Sequence, residues 1–234
     1  MKKKTIALLL VMVMIFGISV GGTIAYLTDR EAVTNTFTVG NVKIKLTETA
    51  VNEAGIPVNE AGQTDAEVDG QWEAATITAN DSTPVGNQYK LIPGMSYDKD
   101  PMVTVLAKSE ESYVRMIVKV SDMTKLTSAF PKEKYADYYN GDLFLLQKLV
   151  SWNEAQWPCV GYKNGEYEFR YFDTVKYSET DTNLVPLFEK INIPGSIDNA
   201  ALANLNAIAI AVEAHAIQKA GFADADAAWD AWED

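Results

Sequence analysis

The 234-residue chain has a single cysteine, Cys159, and a single histidine, His215. One cysteine excludes an intramolecular disulfide, and one histidine excludes the zinc sites built on two or three imidazoles, His-Glu-X-X-His among them. Positive charge is scarce too: 20 Lys+Arg stand against 32 Asp+Glu, a formal charge of −12. Residues 1–25 hold three of the lysines and no acid, so the other 209 residues carry −15, from 17 bases and 32 acids. That balance argues against nucleic acid and against anionic membrane surfaces as partners. No Gly-X-Ser-X-Gly elbow occurs, so a serine nucleophile has no motif behind it. What is present is apolar enough to fold: 47% hydrophobic and 22% charged residues suit one domain with a proper core, not wholesale disorder.

The N-terminus reads as an export signal. Lys2, Lys3 and Lys4 precede an apolar run from Ile6 to Val20, followed by Gly21-Gly22-Thr23-Ile24-Ala25. Thr23 and Ala25 are small residues at the −3 and −1 positions of a signal-peptidase site, which predicts cleavage before Tyr26. The alternative is an uncleaved anchor, because the uncharged stretch from Thr5 to Thr28 is long enough to span a bilayer at about 1.5 Å per residue. The Gly21-Gly22 break and the Thr-X-Ala tripeptide favour cleavage. In that reading the chain meets the membrane only before it is cut, and is secreted afterwards.

Past the cleavage site, alternation dominates. Phe37, Val39, Val42, Ile44 and Leu46 alternate with polar residues, with a slip of phase at Gly40-Asn41 that predicts a bend or bulge. From Glu48 to Asn87 the composition turns to Glu, Ala, Gly, Asn, Asp and Thr, with Val-Asn-Glu-Ala-Gly occurring at both 51 and 58. This predicts an acidic, flexible surface insertion over 48–87, with a short strand at Ala74–Thr78. Met102–Ala107 and Tyr113–Val120 read as strands, joined either as a hairpin or as a sheet-to-sheet connection. In the second, Val114, Met116, Val118 and Val120 face one way and Arg115 and Lys119 the other, which predicts a sheet solvated on one side. Tyr135–Trp152 is ambiguous, its leucines having helical spacing. Asn164-Gly165 predicts a hairpin between Cys159–Tyr162 and Glu166–Phe172. Leu187–Pro194 alternates again, and Asp198 is placed to cap a short helix through Leu205. Ala207–Ile217 suits strand and helix equally on composition. Ala223–Asp234 reads as a short C-terminal amphipathic helix with Trp229 and Trp232 on one face. Short alternating strands separated by turns predict a mainly β domain over 26–234, an antiparallel two-sheet sandwich with short peripheral helices.

The residues Gly21, Gly22, Thr23, Ala25, Tyr26, Thr28, Asp29, Asn35, Phe37, Gly40 and Asn41 together resemble a specific pattern: that of Gram-positive exported proteins of the TasA/camelysin type, whose SipW-dependent signal peptide is removed by a specialised SipW-like signal peptidase. The likeness is dense there and looser beyond, where it rests on Leu91-Ile92-Pro93-Gly94, on Glu110–Val120 and on the Ala214–Trp232 tail. It implies a jelly-roll-like arrangement of the sandwich and a strand, not a helix, at Ala207–Ile217. It also implies two different activities, since TasA-like proteins form fibres of the biofilm matrix whereas camelysin is described as a metalloendopeptidase.

The residues themselves offer little chemistry. His215 has no second imidazole to share a metal with and reads as an ordinary strand histidine, partly exposed on the sheet. Cys159 follows Trp157-Pro158 at a strand start, where a small apolar filler is expected in place of a nucleophile. The pairs Asp98/Asp100 and Asp224/Asp226 match no twelve-residue calcium loop. No catalytic, cofactor or metal residue is therefore assigned. The expected function is that of a secreted, non-enzymatic matrix or cell-surface protein. In it Tyr26–Leu46, carrying Thr28, Asp29, Asn35, Phe37, Gly40 and Asn41, is freed by cleavage and donated head-to-tail as a strand to a neighbouring copy. The alternatives are pairing of that segment within its own sheet, a camelysin-like surface peptidase, and a monomeric binding module presenting 48–87.

Overall fold

The computed structural model describes residues 28–31, 42–68, 70–79, 87–163, 165–205 and 208–232. Strand outweighs helix by 34% to 16%, and every paired strand is antiparallel, so the chain is mainly β.

In chain order the strands are β1 (Thr28–Glu31), β2 (Ile44–Thr49), β3 (Thr76–Thr78), β4 (Ser96–Asp98), β5 (Met102–Val105), β6 (Ser112–Val120), β7 (Tyr139–Asn140), β8 (Leu143–Phe144), β9 (Val150–Trp152), β10 (Cys159–Lys163), β11 (Glu166–Arg170), β12 (Thr182–Asn183), β13 (Phe188–Asn192) and β14 (Ile210–Gln218). Among the described residues three short α-helices accompany them: α1 (Met123–Ala129), α2 (Asn199–Asn204) and α3 (Ala225–Asp230). The strands form a five-stranded sheet β1-β14-β6-β11-β10, a four-stranded sheet β12-β5-β2-β3, a three-stranded sheet β4-β13-β9 and the small β7–β8 ribbon.

Alternation explains the long strands. In β6 Val114, Met116, Val118 and Val120 are buried, and their partners in β14 and β11 include Ala214, Ala216, Tyr167 and Phe169, all buried too. These residues join Val42, Ile44 and Leu46 of the β2 segment and Val103 and Val105 of β5 in one apolar cluster. Both larger sheets therefore contribute to the same core. The β5–β6 link is a sheet-to-sheet connection, because the two strands lie in different sheets. It turns at Lys108, whose φ of 64° is left-handed.

Other expectations resolve on local grounds. Ile210–Gln218 is a strand, since nine consecutive pairs to β6 satisfy its backbone and outweigh the helical leaning of its alanines. Asp198 caps α2 by accepting the Ala201 N–H at 2.8 Å. The β10–β11 hairpin forms, with Gly165 at φ 85°. Tyr135–Trp152 is not an α-helix: one 3-10 turn at Ala136–Tyr138 precedes β7, another at Leu146–Lys148 separates β8 from β9, and the helically spaced Leu146, Leu149 and Val150 are buried without an α-helix. Helix α1 went unforeseen; its sequence signal is Asp122, which accepts the Lys125 N–H at 2.9 Å.

The segment predicted as an insertion from Glu48 to Asn87 holds sheet at its start and at Thr76–Thr78. Glu48 and Thr49 complete β2, and they pair with Ile77 and Thr76 of β3, the strand expected near 74–78. Between them Val51 bridges to Pro57, and beyond β3 Asn87 reaches back to bond Val51 N–H and the Thr49 carbonyl at 2.9 Å each. Glu48 itself is buried on Lys99, which donates to its two carboxylate oxygens at 2.9 and 3.1 Å.

Candidate functional site

A concavity of about 670 Å³ lies on the outer face of the five-stranded sheet. Period-two alternation puts Glu213 and His215 of β14, Arg115, Ile117 and Lys119 of β6, and Glu166, Glu168 and Arg170 of β11 on this face. The register aligns them in rungs. His215 lies opposite Arg115, which lies opposite Arg170; Glu213, Ile117 and Glu168 form the next rung. Lys119 pairs with Glu213 at 2.9 Å and Glu166 at 3.6 Å, and Arg115 with Glu168 at 3.6 Å. Desolvation works against the Lys119 ammonium, yet the hydrogen bonds and charges of Glu213 and Glu166 together outweigh it and the net shift is upward from the ordinary lysine value.

One half of the face is open, and α3 covers the other. Ile217, Ala228, Trp229 and Trp232 form a second apolar cluster, separate from the main core, with Tyr113, Phe222 and Ala225 packed against it. The guanidinium of Arg115 lies 4.4 Å from the Trp229 ring centre and 5.4 Å from that of Trp232. His215 stacks on Trp232 at 4.8 Å and 18°, and its Nδ1 accepts a hydrogen bond from Arg115 Nε at 3.1 Å. An ion pair between Arg170 and Asp226 ties down the start of α3, which Asp224 caps. Two expectations need correction here. The face opposite the core is solvated only at its Lys119 end, and His215 is 6% exposed under the tail instead of partly open. The expected amphipathic tail supplies the cover, with Trp229 and Trp232 together as predicted. The sequence signal for where it docks was Tyr113 and Ile217, apolar residues that lie opposite each other at one end of the outward rows.

Other sequence candidates are accounted for individually. Cys159 is exposed, a correction to its reading as a filler. Its sulfur donates weakly to the Gly161 carbonyl at 3.6 Å, and desolvation pushes the thiol up from its ordinary value, the opposite of an activated nucleophile. Three ladder steps separate its strand from that of His215, roughly 14 Å, so the two do not pair. Asp100 bonds Thr49 at its N–H and hydroxyl, at 2.7 and 2.6 Å, and Asp98 bonds Lys190 at 2.9 Å. Among the described residues no group of three or more His, Cys, Asp and Glu is placed to hold a metal, and no helix is long and apolar enough to cross a membrane.

At the N-terminus, Thr28 and Asp29 lie in β1, four residues that pair antiparallel with Ala214–Ile217 of β14. Thr23, Ala25 and Tyr26 of the cleavage site, and Asn35, Phe37, Gly40 and Asn41 of the motif, lie outside the described residues. Comparison with family models, with curated proteins and with solved structures finds no match.

Proposed function

We propose that the chain is a secreted, non-enzymatic TasA-like matrix or cell-surface protein, released by a SipW-like signal peptidase at Ala25–Tyr26. After cleavage it assembles head-to-tail by donating its N-terminal strand. The observation that carries this reading is the position of β1. It begins two residues after the expected cut, is four residues long, and among the described residues is an edge strand whose only ladder is with β14. A strand with one short ladder is the cheapest element of a sheet to exchange, because a neighbour's copy restores the same backbone hydrogen bonds. We also propose that the sheets close as a jelly-roll-like sandwich; the core shared by β2, β5, β6, β11 and β14 supports it.

The test is negative-stain microscopy of the chain from Tyr26 onward across salt and pH, beside a truncation starting at Asn41, both checked for β-rich circular dichroism. Filaments from the first and not from the second support donation. Monomers throughout, even at high salt where subunits near −15 repel less, would overturn it. The open half of the outer face favours a second reading, a monomeric binding module. The camelysin-like peptidase implied by the resemblance is tested by hydrolysis assays with and without a chelator.

A further inference from the structure

We propose that β10 is a self-pairing edge through which two copies of this chain join. It ends the five-stranded sheet on the side away from β1, and its only ladder among the described residues is with β11. At five residues it is also the longest edge strand among them. Such an edge offers unpaired N–H and C=O groups to another strand. The hairpin register says which ones. Lys163 and Glu166 close a two-residue loop, and a closing pair exchanges both of its backbone bonds. By alternation, Tyr162 turns its N–H and C=O to the open side.

Native sheets blunt an open edge with charge, proline or a bulge. Here Pro158 and the irregularity between Cys159 and Gly161 guard only the first end of the strand. Beyond them Val160 and Tyr162 are 50% and 39% exposed. The run from Gln156 to Asn164 holds one lysine and no acid, in a chain with 32 acids. This edge therefore lacks the negative charge that makes copies repel each other elsewhere.

Antiparallel pairing about a two-fold axis at Tyr162 sets Tyr162 of one copy opposite Tyr162 of the other, joined by two reciprocal backbone bonds. Lys163 then stands opposite Gly161 of the second copy. Among the described residues Lys163 makes no ion pair of its own. Gly161 lies opposite Glu168 on β11, and a Cβ there would stand 3.8 Å from Glu168 Cβ and 3.9 Å from its Oε2. The bare glycine lets Lys163 of the second copy reach across to Glu168, whose Oε1 serves Arg170 and Arg115. Symmetry makes that contact twice. Donated N-terminal strands, as proposed above, would run copies head to tail, and β10 would join such rows side by side; the interface itself does not depend on donation.

The experiment uses the chain from Tyr26 onward, which holds every described residue. Sedimentation velocity should show paired copies. Lys163→Glu, a change at an exposed strand end, should weaken pairing about tenfold, because two attractive contacts become two repulsive ones. In a Cys159→Ser background, Tyr162→Cys should give a disulfide-linked dimer on mild oxidation, since the Cα atoms of directly opposed, hydrogen-bonded residues lie about 5.5 Å apart. Lys163→Cys in the same background should not, its two copies lying roughly 8 Å apart across the axis. Monomers throughout, or no link at position 162, would overturn the interface. Filaments without that link would leave strand donation standing, whereas a dimer linked at 162 that forms no filaments would establish this edge and overturn donation.

Discussion

Replacing Lys99 by methionine tests the most deeply buried lysine among the described residues. Lys99 and Glu48 have side chains 6% and 9% exposed and join the end of β2 to the segment after β4 through two hydrogen bonds of 2.9 and 3.1 Å. Removing only the ammonium leaves a desolvated carboxylate, and breaking a buried pair from one side costs about 3–5 kcal/mol. Replacing both partners by apolar side chains of similar volume removes the desolvation cost along with the attraction and is about neutral, or stabilising. Lys99→Met is therefore expected to lower stability by about 4 kcal/mol, a fall in Tm of about 10 °C for a domain of this size. The double variant Lys99→Met/Glu48→Leu should return to within about 1 kcal/mol of the parent. Urea denaturation of the four proteins of this cycle measures the coupling directly. A cost below about 1 kcal/mol for the single variant would mean that water reaches the pair. The boundary of the 48–87 segment would then be looser than its hydrogen bonds imply.

Further outcomes follow from packing and backbone. Phe169→Ala, emptying a fully buried site edge-on to Trp152 at 5.2 Å, should cost about 3–5 kcal/mol in the same denaturation assay. Gly55→Ala should cost well over the roughly 1 kcal/mol of Gly62→Ala. Both glycines have positive φ, 73° and 77°, but a methyl at Gly55 meets the Tyr97 backbone at 2.7 Å whereas one at Gly62 meets nothing within 4 Å. Trp229→Ala should expose 219–232 to exchange while leaving the β6–β14 amides protected, because its cluster is separate from the core. Burial pushes the phenols of Tyr167 and Tyr89 well above their ordinary range, with Glu48 adding to the shift at Tyr89. A raised phenol stabilises the fold below the ordinary value of about 10 and stops doing so as pH rises past it. Alkaline unfolding should therefore be shallower in Tyr167→Phe, and absorbance near 295 nm should show two tyrosines ionising only with unfolding.

The long strands, the Asn164-Gly165 hairpin, the Asp198 cap and the Trp229/Trp232 tail were all legible in the linear sequence. Each depends on contacts within a few residues or on a two-residue period that one buried face imposes. The scarcity of cysteine, histidine and positive charge likewise bounded the chemistry without coordinates. Sequence left open whatever depended on a partner far along the chain. Ile210–Gln218 is alanine-rich enough for either structure, and only its ladder with β6, nearly a hundred residues away, makes it a strand. Helical spacing in Tyr135–Trp152 gave way because its leucines fill a core assembled from other elements. The same holds for the seam on the outer face. His215 and Arg115 read as ordinary exposed residues of a two-faced strand until α3 folds back over them. That return is decided by the free energy of covering Tyr113 and Ile217, a surface that exists only once β6 and β14 have paired.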